Sequence, residues 1–304
     1  MRVLISGGSG LVGLALAERL IHSGHRVVIS SRDPARVKKV PAGVKVEAWD
    51  TASWPELVPL IDGADAVVHL VGENLAAGRW TEARKRRIRD SRVGSSRAVA
   101  TAVANAKSPP GVLVQASAVG YYGPRGDEEI DEEESVGGDF LAGLCQDWEK
   151  ASAEVETLGV RRPVLRTAVV LSAKGGALPR MLLPFRLFVG GPVGNGRQWL
   201  PWIHLEDEVG AICFLLEHGL ATGPFNLTAP TPLTNRDFSS VLGKVLRRPS
   251  FMPVPGTALR LALGEMGGLL LTGQRAVPKK LLEAGYEFHF PEAETALRNL
   301  LEKT

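Results

Sequence analysis

The chain has 304 residues, 44% of them hydrophobic, enough to bury a sizeable core as one large domain or a domain plus a lobe. A net charge of +3 makes no case for nucleic acid, and two distant cysteines, Cys145 and Cys213, exclude a disulfide scaffold and a cysteine-rich zinc site. No apolar run approaches the ~20 residues of a membrane span, and Met1 leads straight into an apolar stretch, so a soluble, cytoplasmic protein with no membrane partner and no metal is expected.

The first expected strand, Val3–Ser6, runs directly into Gly7-Gly8-Ser9-Gly10-Leu11-Val12-Gly13. Apolar residues at helical spacing follow over 11–23 and stop before Gly24. Strand, glycine turn and helix in this order are the context of a dinucleotide fingerprint. Gly7 suits the tight turn, Gly10 lets a pyrophosphate approach the backbone, and Gly13 permits close helix–strand packing. The helix amino end adds free N–H groups and a positive dipole. The second strand, 27–30, leads into Ser31-Arg32-Asp33-Pro34. Hydroxyls and a forked guanidinium match a 2′-phosphate, so NADP(H) is the expected cofactor. Asp33 is expected to cap a helix over 35–39 that Pro34 opens.

Further strands at 44–48, 66–71, 112–116 and 164–170 alternate with helical stretches near 55–61, 81–106 and 139–158. The expected fold is therefore α/β: a doubly wound parallel Rossmann sheet over 1–230 with a substrate-side insertion at 171–204. After a helix near 206–218, a smaller, mostly helical C-terminal substrate-side lobe is expected over 231–304. Within the Gly- and Pro-rich insertion, Arg197 can grip an anion while Trp199 and Trp202 offer flat faces to a ring. His204 with Asp207 can bind a polar substrate or cap the following helix. Positions 79–92 hold seven basic residues against two acids, a solvated helix face or a phosphate-binding stripe. Positions 127–134 hold seven acids and are expected to form an exposed, mobile loop.

Several motifs carry a family resemblance: Gly7–Gly13, Val68-His69-Leu70-Val71-Gly72-Glu73-Asn74, the stretch Ser117 to Gly123, Leu165-Arg166-Thr167, 181–191, 196–204 and 271–279. With these the chain resembles the extended branch of the short-chain dehydrogenase/reductase superfamily, and within it the atypical group of nucleoside-diphosphate-sugar epimerase-like "epimerase family" proteins. The resemblance implies that Leu70, Val71 and Gly72 line the adenosine side of the cofactor and that Asp50 lies near the adenine. It places Arg92 and Arg166 close to the cofactor and makes Ser117 the residue that hydrogen-bonds the substrate.

One departure concerns the chemistry. Most members of the superfamily use Tyr-x-x-x-Lys, the lysine lowering the tyrosine pKa so that a proton moves as the nicotinamide moves a hydride. Here the three tyrosines, Tyr121, Tyr122 and Tyr286, are followed four positions on by Arg125, Gly126 and Phe290, and the matching helix carries Leu141 and Cys145. Ser117 with Tyr121 or Tyr122 is left as the candidate catalytic group. The expectation is an NADP(H)-binding atypical oxidoreductase or nucleotide-sugar epimerase-like enzyme acting on a carbonyl or nucleotide-sugar, with homo-oligomerisation open. The alternative is a protein that senses NADP(H) without catalysis.

Overall fold

The computed structural model describes residues 1–302; positions 303 and 304 of the expected lobe lie outside the described residues. Seven parallel strands form the central sheet: β1 (Arg2–Ser6), β2 (Arg26–Ser31), β3 (Lys45–Ala48), β4 (Ala66–His69), β5 (Val112–Ala118), β6 (Pro163–Thr167) and β7 (Gly223–Leu227). Their order is β7-β6-β5-β4-β1-β2-β3. From β1 the chain winds outward through β2 and β3, then returns to β4 and winds the other way. The ends of β1 and β4 therefore bound a crevice at the switch point, where ligands bind in sheets of this kind. The seventh strand was not among the sequence expectations.

Helices cover both faces. Leu16, Leu20 and Ile212 bury against Val3, Ile5 and Ile29 on one side; Leu57, Ile61, Val99 and Val103 bury against Leu4, Val67 and Leu113 on the other. Each such side chain contributes about 1.5–3 kcal/mol by leaving water. Leu16 and Leu20 lie on α1 (Leu11–His22), Leu57 and Ile61 on α2 (Trp54–Ile61), Val99 and Val103 on α4 (Ser95–Asn105) and Ile212 on a later helix; α3 (Glu82–Arg89) precedes α4, and α5 (Phe140–Lys150) lies between β5 and β6. The expected single helix over 81–106 is interrupted by a π-turn at Asp90–Gly94, and the one over 139–158 ends at Lys150 before a 3-10 turn.

The expected strand 164–170 also divides. β6 pairs with β5 and β7, whereas Val169–Leu171 pairs with Trp202–His204. The chain changes sheets at Ala168, whose N–H donates to Leu227 O while Val169 N–H donates to Pro201 O. Beyond this switch come α6 (Leu178–Arg186), α7 (Leu205–Glu217), α8 (Asn235–Leu246) and α9 (Gly256–Leu263), with shorter helices after them. Leu178, Leu182, Phe185 and Trp202 share one core with Phe238, Leu242, Ala296 and Leu297, so the insertion and the helical C-terminal region pack as a unit.

Candidate functional site

The glycine turn has the geometry its sequence predicts. Gly7 has φ +75, and a Cβ there would lie 2.8 Å from Val71 N. A Cβ on Gly13 would lie 2.5 Å from Gly8 Cα, so only glycine lets α1 come this close to the turn. A Cβ on Gly10 would meet only Gly7 O, at 3.6 Å, so that position opens into the crevice. No side chain caps α1. Its first N–H groups and its positive end are left to an anion.

The crevice has a volume of about 740 Å³ and is lined by Gly7, Ser9, Gly10, Leu70, Val71 and Gly72 on the β1 and β4 side. Gly8, Leu11, Val12 and Gly13 form the turn and first helical residues behind this wall. Beneath it, His69 joins the two strands: Ser6 Oγ lies 2.7 Å from Nδ1 and Ser95 Oγ 3.1 Å from Nε2. Full burial pushes the His69 pKa down to about 3, so the ring is neutral.

At the β2 end the crevice is lined by Ser30, Ser31, Arg32, Asp33, Arg36 and Lys38. Ser30 is buried, and its Oγ has no hydrogen-bond partner among the described residues. Asp33 precedes a 3-10 turn, Pro34–Arg36, shorter than the helix expected over 35–39. Its side chain makes no cap; it pairs with Arg36 Nε at 3.0 Å. Three cations thus face one acid that already has a partner. Asp50 lies just outside the lining and Thr51, with φ +75, lies in it. Asp50 Oδ1 accepts from Ala52 N at 2.8 Å and Ser53 N at 2.7 Å, bonds that hold its carboxyl below the usual range.

Glu73 and Ser91 complete the lining. The π-turn aims Arg92 at this end: its Nη1 donates to Glu73 O at 3.0 Å and its guanidinium sits 5.1 Å over the Trp148 ring. A Cβ on Gly72 would lie 3.0 Å from Arg92 Nη2, so the two residues are fitted to each other.

A second cluster forms where β5 and β6 end. Ser117 Oγ donates to Glu149 Oε1 at 2.6 Å. Arg166 grips the same carboxylate with Nε on Oε1 and Nη2 on Oε2, both at 3.0 Å. The Tyr121 ring covers that guanidinium at 3.5 Å. Arg166 therefore stands beside Ser117 and is not part of the crevice lining. Tyr122 needs correction as a proton donor: it is fully buried, its OH donates to Asn226 Oδ1 at 2.7 Å and accepts from Arg166 Nη1 at 3.0 Å. Burial pushes its pKa upward. Leu141 and Cys145 pack under Gly120, and burial raises the Cys145 thiol to about 12. On its outer side Glu149 lines a smaller cleft of about 210 Å³ with Tyr121, Gln146, Lys150, Ala153 and Arg162.

The expected substrate residues are dispersed. Arg197 is exposed. Trp199 Nε1 donates to Asp127 Oδ1 at 3.0 Å, and Arg275 lies 5.1 Å over its ring. Trp202 is a core residue beside Leu178 and Phe238, which removes it from a substrate face. His204 caps α7, its Nδ1 accepting from Glu206 N at 3.0 Å, while Asp207 accepts from His289 N and Phe290 N at 2.7 and 2.9 Å.

Both charged stretches are also answered internally. Arg84 pairs with Glu73 at 3.0 Å, Lys85 with Glu265 at 2.5 Å and Arg89 with Asp147. The acidic run forms a clasp where a mobile loop was expected: Asp131 meets Lys279 at 2.7 Å, and buried Glu132 accepts from Asn226 N at 2.9 Å. Sequence reasoning missed Ser30, Thr51, Glu73, Ser91 and Glu149. The four-residue spacing of Leu141, Cys145 and Glu149 was the available signal for the last.

The fold and crevice define a Rossmann-like nucleotide-binding protein. A model described as the NAD dependent epimerase/dehydratase family matches residues 3–228, and a domain of unknown function matches 254–300. The chain belongs to the NAD dependent epimerase/dehydratase family. It is 42% identical over 289 residues to an epimerase family protein of Mycobacterium leprae, covering 94% of this chain and 91% of that one. With the epimerase family protein YfhF of Bacillus subtilis it shares 38% over 303 residues, covering 99% and 98%. The crystal structure of human epimerase family protein SDR39U1 (isoform 2) with NADPH superposes with a TM-score of 0.89 at 35% identity, covering both chains fully. A UDP-galactose 4-epimerase, at 17% identity and a TM-score of 0.78 over 99% of this chain and 97% of that one, shares the fold.

Proposed function

We propose that this chain binds NADP(H) in the β1/β4 crevice and uses it in hydride chemistry on a carbonyl or nucleotide-sugar substrate. The observation that carries the reading is the group of Arg32, Arg36 and Lys38 around the unpartnered Ser30 Oγ at the β2 end. A 2′-phosphate supplies the negative charge that this group lacks, whereas a 2′-hydroxyl supplies none. The pyrophosphate falls on the amino end of α1 at Ser9 and Gly10, Leu70 to Gly72 line the crevice beside that turn, and Asp50 stands beside the adenine end. Similarity to a relative crystallised with NADPH supports the same choice.

A bound nicotinamide would supply the hydride chemistry. The proton is handled by this chain's own groups. In oxidation Ser117 Oγ takes the proton of the substrate hydroxyl as its own passes to the Glu149 carboxylate across their 2.6 Å bond; in reduction both transfers run in reverse from protonated Glu149. Arg166 keeps that carboxylate oriented, and Tyr121 shields the pair. Glu149 thereby takes over the proton transfer that Leu141 and Cys145 cannot perform. Fluorescence titration with NADPH, followed by its decay with a panel of carbonyl compounds, tests the reading: binding with decay is expected.

The packing of Leu141 and Cys145 against Gly120 favours one rival, a cofactor sensor without turnover. It predicts binding without decay and different protease-protection patterns for NADP and NADPH.

A further inference from the structure

Two stretches of the chain contain no acidic residue, positions 157–205 and 238–264, and the fold brings part of each to one face. α6 buries Leu178, Leu182 and Phe185 and turns Leu183 and Arg186 outward. Past its end Leu187, Phe188 and Val189 stand exposed in succession, the first two at 63% and 56%. Phe188 has φ +63, a strained conformation for an aromatic residue. It is held by its N–H donating to Phe185 O at 3.0 Å and by Val189 N–H donating to Pro184 O at 2.9 Å.

The second stretch is fastened to this turn by its backbone. Met252 N–H donates to Gly190 O at 3.0 Å, and a Cβ on Gly191 would lie 2.2 Å from Met252 O. Phe251, 67% exposed, and Met252 therefore lie beside the turn. Arg248 stacks 4.3 Å over the Phe188 ring, and Arg247 is exposed next to it.

We infer that this face docks on an anionic lipid bilayer. Single exposed apolar side chains need no explanation, but six large ones gathered at one turn do. The charged neighbours that these two stretches supply are cations, so a second copy docking face to face would set arginine against arginine. The apolar groups stand on a helix end and a turn tip, whereas a peptide ligand needs a groove. A bilayer surface accepts protruding Leu, Phe and Met side chains, and lipid phosphates match arginines whose stems lie along the interface. No helix among the described residues is long and apolar enough to cross a membrane, so the contact is peripheral.

Vesicle flotation of the full chain tests this. The chain is expected to float with phosphatidylcholine vesicles containing phosphatidylglycerol, and to lose about tenfold or more of that association on pure phosphatidylcholine or in high salt. Leu187→Ser combined with Phe251→Ser, and separately Arg186→Glu combined with Arg248→Glu, should each reduce flotation by a similar factor. Melting temperature and NADPH affinity should stay unchanged in both. Failure to float with phosphatidylglycerol overturns the inference. Flotation indifferent to both double variants, or salt-sensitive binding to soluble polyglutamate in place of vesicles, overturns it as well.

Discussion

Ser117 and Glu149 stand 32 positions apart and meet through a 2.6 Å hydrogen bond, the serine donating. The bond joins the end of β5 to the helix whose earlier turns carry Leu141 and Cys145. It puts a carboxylate, already gripped by Arg166, next to the oxygen that holds the substrate in this account. In the proposed mechanism a serine–glutamate–arginine line, with Tyr121 as its cover, takes the place of a tyrosine–lysine pair.

Glu149→Ala leaves the buried Arg166 guanidinium without its charge partner. Removing one member of a buried pair costs about 3–5 kcal/mol, and denaturant unfolding should show a loss of that size. Arg166→Met in the Glu149→Ala background should recover part of it. Additive losses would mean that the pair is not the source.

Ser117→Ala removes one hydrogen bond, so stability should fall by only about 0.5–1.5 kcal/mol. Turnover of any carbonyl substrate found in the panel should fall about 10²-fold or more, as expected for a lost proton-transfer group. Tyr122→Phe should act in the opposite sense. It loses stability through its buried bonds to Asn226 and Arg166, and the activity of the folded fraction is kept. Equal activity in wild type and Ser117→Ala would remove Ser117 from the chemistry.

Gly13→Ala should destabilise the chain by about 1–3 kcal/mol, the range for forcing an extra carbon into a filled space. The added Cβ would lie 2.5 Å from Gly8 Cα, a backbone atom that cannot rotate away. Gly24→Ala meets no neighbouring atom, so its cost comes only from φ +78. NADPH affinity should fall in the first variant and hold in the second.

Stability should peak near mildly acidic pH for two separate reasons. Burial pushes Glu208 up from 4.5 to about 8. In that window the folded chain holds a proton the unfolded chain has released, so stability falls as pH rises through it. Burial pushes His69 down from 6.5 to about 3. Below 6.5 the unfolded chain takes a proton the folded chain refuses, and stability falls as pH drops. Thermal melts across pH should show both limbs. Glu208→Gln should flatten the alkaline limb alone, since a glutamine oxygen can still accept from Thr167 Oγ1, which donates to Glu208 Oε1 at 2.9 Å.

Local features of the fold were legible because local spacing decides them. Gly10 and Gly13 set the turn through contacts within a few residues of chain, and Ser31 ends β2 with Arg32 following it directly. The Ser117 cluster was not legible as a unit, since it needs β5, α5 and β6 to be docked before its members meet. Trp202 resembled a surface aromatic, but it begins a three-residue strand that pairs with Val169–Leu171 in the core. The ion pairs of the largely exposed acidic run were not legible, because its partners, Lys279 and Arg275, lie almost 150 positions away. The split at Ala168 was hidden by an unbroken β-branched and aliphatic pattern that suits either pairing.

Fluorescence titration of NADPH and NADH against wild type and Arg32→Ala tests the central claim most directly. Wild type should prefer NADPH, and Arg32→Ala should lose about tenfold or more of NADPH affinity, the 1.5–3 kcal/mol of a hydrogen bond to a charged group. NADH affinity should be unchanged. Equal affinities for the two cofactors in wild type, or an Arg32→Ala variant that keeps the wild-type NADPH affinity, would contradict it.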